Sequence, residues 1–99
     1  MSTAVDIDEK IEQVIATPER YKVILLNDDH TPMDFVIEIL TSIFKHTPEI
    51  ARDLTMKIHS DGSAVCGIYS FELAEQKSIE ATTLSRNAGF PLQVRIEKD

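Results

Sequence analysis

Apolar residues follow two rhythms along the chain, and the changes of rhythm mark its elements. "ERYKVILLN" is apolar on both faces, with Val23 and Leu25 on one and Ile24 and Leu26 on the other. That pattern predicts a strand over about Tyr21 to Leu26, placed centrally in a sheet. Thr31-Pro32-Met33-Asp34 predicts a helix start, with Thr31 at the N-cap, Pro32 at the first helical position and an acid at the third. Val36, Ile39, Leu40, Ile43 and Phe44 follow at helical spacing, and the helix is expected to end near Lys45-His46. Thr47-Pro48-Glu49 repeats the start signal. A second helix carries Ile50, Leu54 and Ile58 on one stripe, with Ala51, Thr55 and His59 beside it, and Asp61-Gly62 ends it.

"SAVCGIYS" predicts a second strand, and Ser70 can cap a third helix over residues 71 to 88, closed by Gly89. Ala74, Ser78, Ala81, Ser85 and Ala88 give that helix a face of small residues, which lets it lie close to a sheet. After Pro91, Leu92, Val94 and Ile96 alternate with Gln93, Arg95 and Glu97, the mark of a strand with one wet face. The order β-α-α-β-α-β predicts an α+β fold, a three-stranded antiparallel sheet with three helices on one face. Residues 1–16 are acidic and weakly periodic. Ile7, Ile11, Val14 and Ile15 could form a short helical face, but so short a helix is marginal alone. A flexible tail is therefore expected over 1–16, before a folded domain over 17–99.

Composition narrows the function. A 99-residue chain that is 42% hydrophobic supports one modest core. A net charge of −7 argues against nucleic acid or an anionic membrane as the main partner and fits a cationic one. Cys66 is the only cysteine, so no disulfide framework exists. No membrane-spanning run or targeting segment is visible, and a cytoplasmic location is expected.

The residues able to do chemistry are Asn27, Asp28, Asp29, His30, His46, His59 and Cys66. A metal- or thiol-dependent enzyme would centre on Asp28, His30, His59 or Cys66. Against it, Cys66 packs well as a small strand residue, the acids and histidines lack the short paired spacing of zinc sites, and no Gly-rich phosphate loop is present. No metal or cofactor is expected. The "NDD" at residues 27–29 can be a solvated turn that leads into the helix. It can equally hold an ammonium, because Asn27, Asp28 and a neutral His59 offer several acceptors to a group with three donors. Such charge-assisted bonds contribute about 1.5–3 kcal/mol each when sheltered.

The motifs then become specific. "YKVILLNDDHTPMDFVIEIL", the His and "CGIY" of "IHSDGSAVCGIYSFELAEQK", and the closing "PLQVRIEKD" together resemble the ClpS adaptor family over residues 20 to 98. The resemblance implies an adaptor that binds protein substrates bearing a destabilising first residue, typically Leu, Phe, Tyr or Trp, and brings them to a Clp-type AAA+ unfoldase of the ClpA or ClpC kind. It implies that Asn27, Asp28 and His59 hold the α-amino group, that Asp29 holds the substrate backbone and that Thr31 orders the loop. It further implies an apolar pocket walled by Ile24, Met33, Val36, Thr55, Ile58 and Leu92. Glu72 and Lys77 of "FELAEQK" match the family's docking surface for the unfoldase N-terminal domain.

One position departs from the family pattern. Many members carry Met where this chain has Thr55, and there it acts as a gate against β-branched first residues. A roomier or more polar pocket with altered selectivity is expected here, since Met56 lies roughly 100° further around the helix. Three hypotheses remain open on the sequence: the adaptor, the enzyme, and an interaction module of similar fold without an amino-terminal pocket.

Overall fold

The computed structural model describes residues 19–99, and the expected tail over 1–16 lies outside them. The strands are β1 (Tyr21–Leu26), β2 (Ser63–Tyr69) and β3 (Gln93–Lys98), and the helices are α1 (Met33–Ser42), α2 (Pro48–Asp61) and α3 (Phe71–Asn87). All pairings are antiparallel in the order β2-β1-β3, which puts the doubly apolar strand in the middle, as its sequence predicts. Val23 and Leu25 face the helices and are fully buried, packing with Val36, Ile39, Leu40, Ile58 and Leu92. Among the described residues no helix is long and apolar enough to cross a membrane.

Helix α3 crosses all three strands, α2 packs on β2, and α1 packs on α2. The small face of α3 permits this approach, since Ala74, Ala81 and Ser85 have no exposed surface. The hydroxyl of Ser85 is satisfied by the Ala81 carbonyl at 2.8 Å, and Ser70 caps the helix start by accepting from the Leu73 N–H. In α2 the inward stripe is Ala51, Thr55 and Ile58, while Ile50 is exposed, so the buried face is turned about one residue from the stripe expected.

The start of α1 also differs from expectation. Pro32, not Thr31, is the N-cap, and its carbonyl accepts from the Phe35 and Val36 N–H groups. Thr31 lies one residue before the cap, with its hydroxyl and N–H both donating to Asp28. At the other end, regular α1 stops at Ser42. The chain closes through Lys45 at φ 62° and a bond from His46 N–H to the Leu40 carbonyl at 3.0 Å, a left-handed helix terminator.

Strand β2 carries a bulge. Val23 pairs with Gly67 but Ile24 pairs with Val65, so Cys66 is the extra residue. The parity of the strand therefore flips: Ala64 and Cys66 face the core, and beyond the bulge Tyr69 does too, with Ile68 turned outward. A Cβ at position 67 would collide with the Tyr69 ring, which explains a glycine between these residues.

Candidate functional site

The loop after β1 is held by its own side chains. The Asp28 carboxylate accepts from the N–H of His30 at 2.8 Å, the N–H of Thr31 at 2.7 Å and the Thr31 hydroxyl at 2.7 Å. Partial burial acts to raise its pKa, but these three hydrogen bonds and the nearby His30 outweigh that and hold it below the ordinary carboxylate value. One oxygen takes two of the bonds and the other only one, so acceptor capacity remains on an ionised, immobilised group.

Asn27 ties this loop to α2. Its N–H donates to the Gly62 carbonyl at 2.8 Å, and Gly62, at φ 91°, is the residue that ends α2. The last turn of that helix carries His59, whose side chain is exposed, as are those of Asn27 and Asp29. The structure thus brings the acidic loop alongside the helix end bearing His59. A hollow of about 380 Å³ opens beside it, bounded by Leu26, loop residues 27–30, Pro91 and Gln93.

The expected pocket walls are placed as follows. Val36, Thr55, Ile58 and Leu92 are buried at 6%, 3%, 3% and 1% exposure, whereas Met33 is 38% exposed at the start of α1. Val36, Ile58 and Leu92 belong to the core cluster, and none of the five borders the 380 Å³ hollow. Ile24 sits on the sheet face away from the helices, between Val65 and Arg95, and so lies apart from the other five. The Thr55 hydroxyl donates to the Ala51 carbonyl at 2.7 Å and is thereby satisfied within its own helix.

The remaining chemistry-bearing residues are engaged structurally. Cys66 is buried, and burial pushes its thiol up to about 12, which removes the thiolate a nucleophile needs. His46 Nε2 lies 2.6 Å from the Cys66 carbonyl, so this nitrogen carries the hydrogen and donates to the bulge. Among the described residues no cluster of His, Cys, Asp or Glu could hold a metal ion. Lys77 Nζ donates to the Ile43 carbonyl at 2.7 Å, joining α3 to the end of α1, while Glu72 is exposed in the first turn of α3. Arg86 and Phe90, unremarked in the sequence, border with Pro91 a further cavity near His30.

Comparison with known proteins identifies the family and the fold. The family model described as ATP-dependent Clp protease adaptor protein ClpS matches residues 16–95. The chain is 47% identical over 88 residues to the ATP-dependent Clp protease adapter protein ClpS of Treponema denticola, covering 89% of this chain and 87% of the relative. It is 42% identical over 91 residues to that of Leptospira biflexa, covering 92% and 80%. Among solved structures, Agrobacterium tumefaciens ClpS2 bound to L-phenylalaninamide superposes with a TM-score of 0.81 at 43% identity, covering 83% of this chain and 99% of that one.

Proposed function

Since the chain belongs to the ClpS family of Clp protease adaptors, we propose that it is a non-catalytic adaptor. It binds protein substrates by a free α-amino group and a large hydrophobic first residue, and it presents them to a Clp-type AAA+ unfoldase of the ClpA or ClpC kind. The observation that carries this reading is the Asp28 loop, fixed by three internal hydrogen bonds and joined through Asn27 to the end of α2. A flexible loop would have to be ordered on binding. This one presents an ionised acceptor already in place.

Asp28, the Asn27 side chain and His59 hold the ammonium, and Asp29 holds the following backbone. Thr31 acts indirectly by fixing Asp28. The first side chain wedges between exposed Met33 and the apolar layer of Val36, Thr55, Ile58 and Leu92, where burial contributes about 1.5–3 kcal/mol. Ile24, on the far face of the sheet, takes no part. A bound ligand of this kind in the solved relative, L-phenylalaninamide, has a free amine and an aromatic side chain. The unfoldase N-terminal domain docks at Glu72 and Lys77.

Peptides beginning with Phe or Leu, compared with the same peptides acetylated, test the proposal by fluorescence anisotropy. Acetylation removes the charge and the donors for at least two charge-assisted bonds. The acetylated forms should bind at least about 100-fold more weakly, the equivalent of about 3 kcal/mol. Equal affinity for both forms would overturn the assignment.

A further inference from the structure

The hollow beside the Asp28 loop does not end there. A second cavity of about 690 Å³ is bounded by His30, Arg86, Gly89, Phe90, Pro91 and Gln93. It shares His30, Pro91 and Gln93 with the 380 Å³ hollow, so the two form one groove from the acidic loop to the end of α3. We propose that this groove receives the substrate residues that follow the first, and that Arg86 makes it prefer an acidic side chain at its far end. The inference rests on the adaptor function above and specifies what that adaptor selects beyond the first residue.

Three observations support an extended peptide as the occupant. First, the groove begins at the residues assigned to the amino group and first peptide bond, so a chain anchored there has this path open to it. Second, its floor is preformed. Gly89 N–H donates to the Arg86 carbonyl at 3.0 Å and Phe90 N–H to the Ser85 carbonyl at 2.8 Å. Arg86 Nη1 donates to the carbonyls of Phe90 at 2.9 Å and Leu92 at 2.8 Å, and the Phe90 ring packs edge-on against Phe35 with centroids 4.9 Å apart.

Third, the groove is electrically polar in the sense such a peptide requires. Asp28 and Asp29 border the near end and Arg86 the far end. A guanidinium has five N–H donors. Two are engaged by backbone carbonyls, and among the described residues Arg86 forms no ion pair. The backbone bonds hold the group in place, and the donors on Nε and Nη2 remain for a carboxylate. On a chain of net charge −7 this is a local reversal of sign, suited to a ligand with an ammonium at its start and an acid a few residues on.

The test uses peptides with a fixed first Phe in which one Glu, or one Lys, is moved position by position. At low ionic strength one position should favour Glu over Lys by about two- to fivefold, the range of an exposed ion pair. Arg86→Gln should abolish that preference while binding phenylalaninamide as the parent does, and Arg86→Lys, which keeps the charge, should retain it. A preference that survives in Arg86→Gln, or no position that favours Glu, overturns the groove proposal while phenylalaninamide binding leaves the adaptor function standing. If phenylalaninamide and all free-amine peptides fail to bind, both fall together.

Discussion

Thr31 contributes two donors, its N–H and its hydroxyl, and both go to the same carboxylate. Removing the hydroxyl while keeping the shape isolates its effect. In Thr31→Val the carbon resonance of the Asp28 carboxyl, followed by NMR against pH, should titrate at a higher pH than in the parent. The sign follows from the hydrogen bonds to the ionised form that depress the folded value. The stability Asp28 adds is therefore present above its unfolded pKa and lost as pH falls through the lower folded one. The same variant should weaken Phe-peptide binding with Asp28 still present, and unchanged titration would refute the coupling. Thr55 raises the complementary question in the pocket. Its hydroxyl is satisfied within α2 and its side chain is shorter than that of Met, so extra room is expected in preference to added polarity. Thr55→Met should accordingly reduce binding of Val- and Ile-initiated peptides relative to Leu-initiated ones. Equal loss across all first residues would instead indicate damage to the fold.

Among the elements, the bulge in β2 makes the most specific demand. It leaves the Cys66 carbonyl to His46, while the thiol packs in the core. His46→Ala should cost about 1–2 kcal/mol, the penalty for a sheltered carbonyl without a donor. Each kcal/mol lowers the melting temperature of a domain this size by roughly 4–8 °C. Because the thiol is sealed, its alkylation tracks opening, and the variant should be labelled about 5–30-fold faster. Equal labelling of the native parent and urea-unfolded protein would contradict a buried thiol. The elements themselves were legible in the sequence where periodicity was strong: β1 runs from Tyr21 to Leu26 and α3 lies between Ser70 and Gly89 as expected. What escaped were features decided by competition. Thr31 looks like an N-cap, but its side chain is turned to Asp28 and the helix starts one residue later, and β2 looks like a plain strand because one extra residue changes no composition. The loop residues of the proposed site stand out in the sequence because acids, an amide and a helix start coincide. Ile24 was not assignable, since an apolar residue in a doubly apolar strand does not declare its face. The role proposed for Arg86 has no sequence signal, because only folding brings the segment from Arg86 to Gln93 beside the acidic loop.

At the scale of the whole molecule, register separates two ends of the sheet. Leu26, Ser63 and Gln93 lie abreast at one end, next to the Asp28 loop, and Tyr21, Tyr69 and Lys98 lie abreast at the other. Glu72 follows directly on that second end, where the Tyr21 and Phe71 rings pack 5.1 Å apart. Six residues of strand span about 20 Å, so the two proposed surfaces are separated by about that length, and substrate and unfoldase are expected to bind without competing. Residues this far apart without shared partners should act additively. Asp28→Ala should therefore weaken peptide binding and leave the affinity for an isolated unfoldase N-terminal domain unchanged. Glu72→Ala should do the reverse with only a small fall in melting temperature, because it breaks no hydrogen bond among the described residues and loses only an exposed acid in the first turn of α3. Lys77→Ala is the less clean variant: it should weaken docking and also destabilise the fold, since Lys77 holds the Ile43 carbonyl at the end of α1. Titrating the N-terminal domain against the adaptor with and without saturating Phe peptide measures the coupling directly. Equal affinities are expected, and a difference of tenfold or more would mean that the two ends communicate through the sheet instead of acting as independent sites.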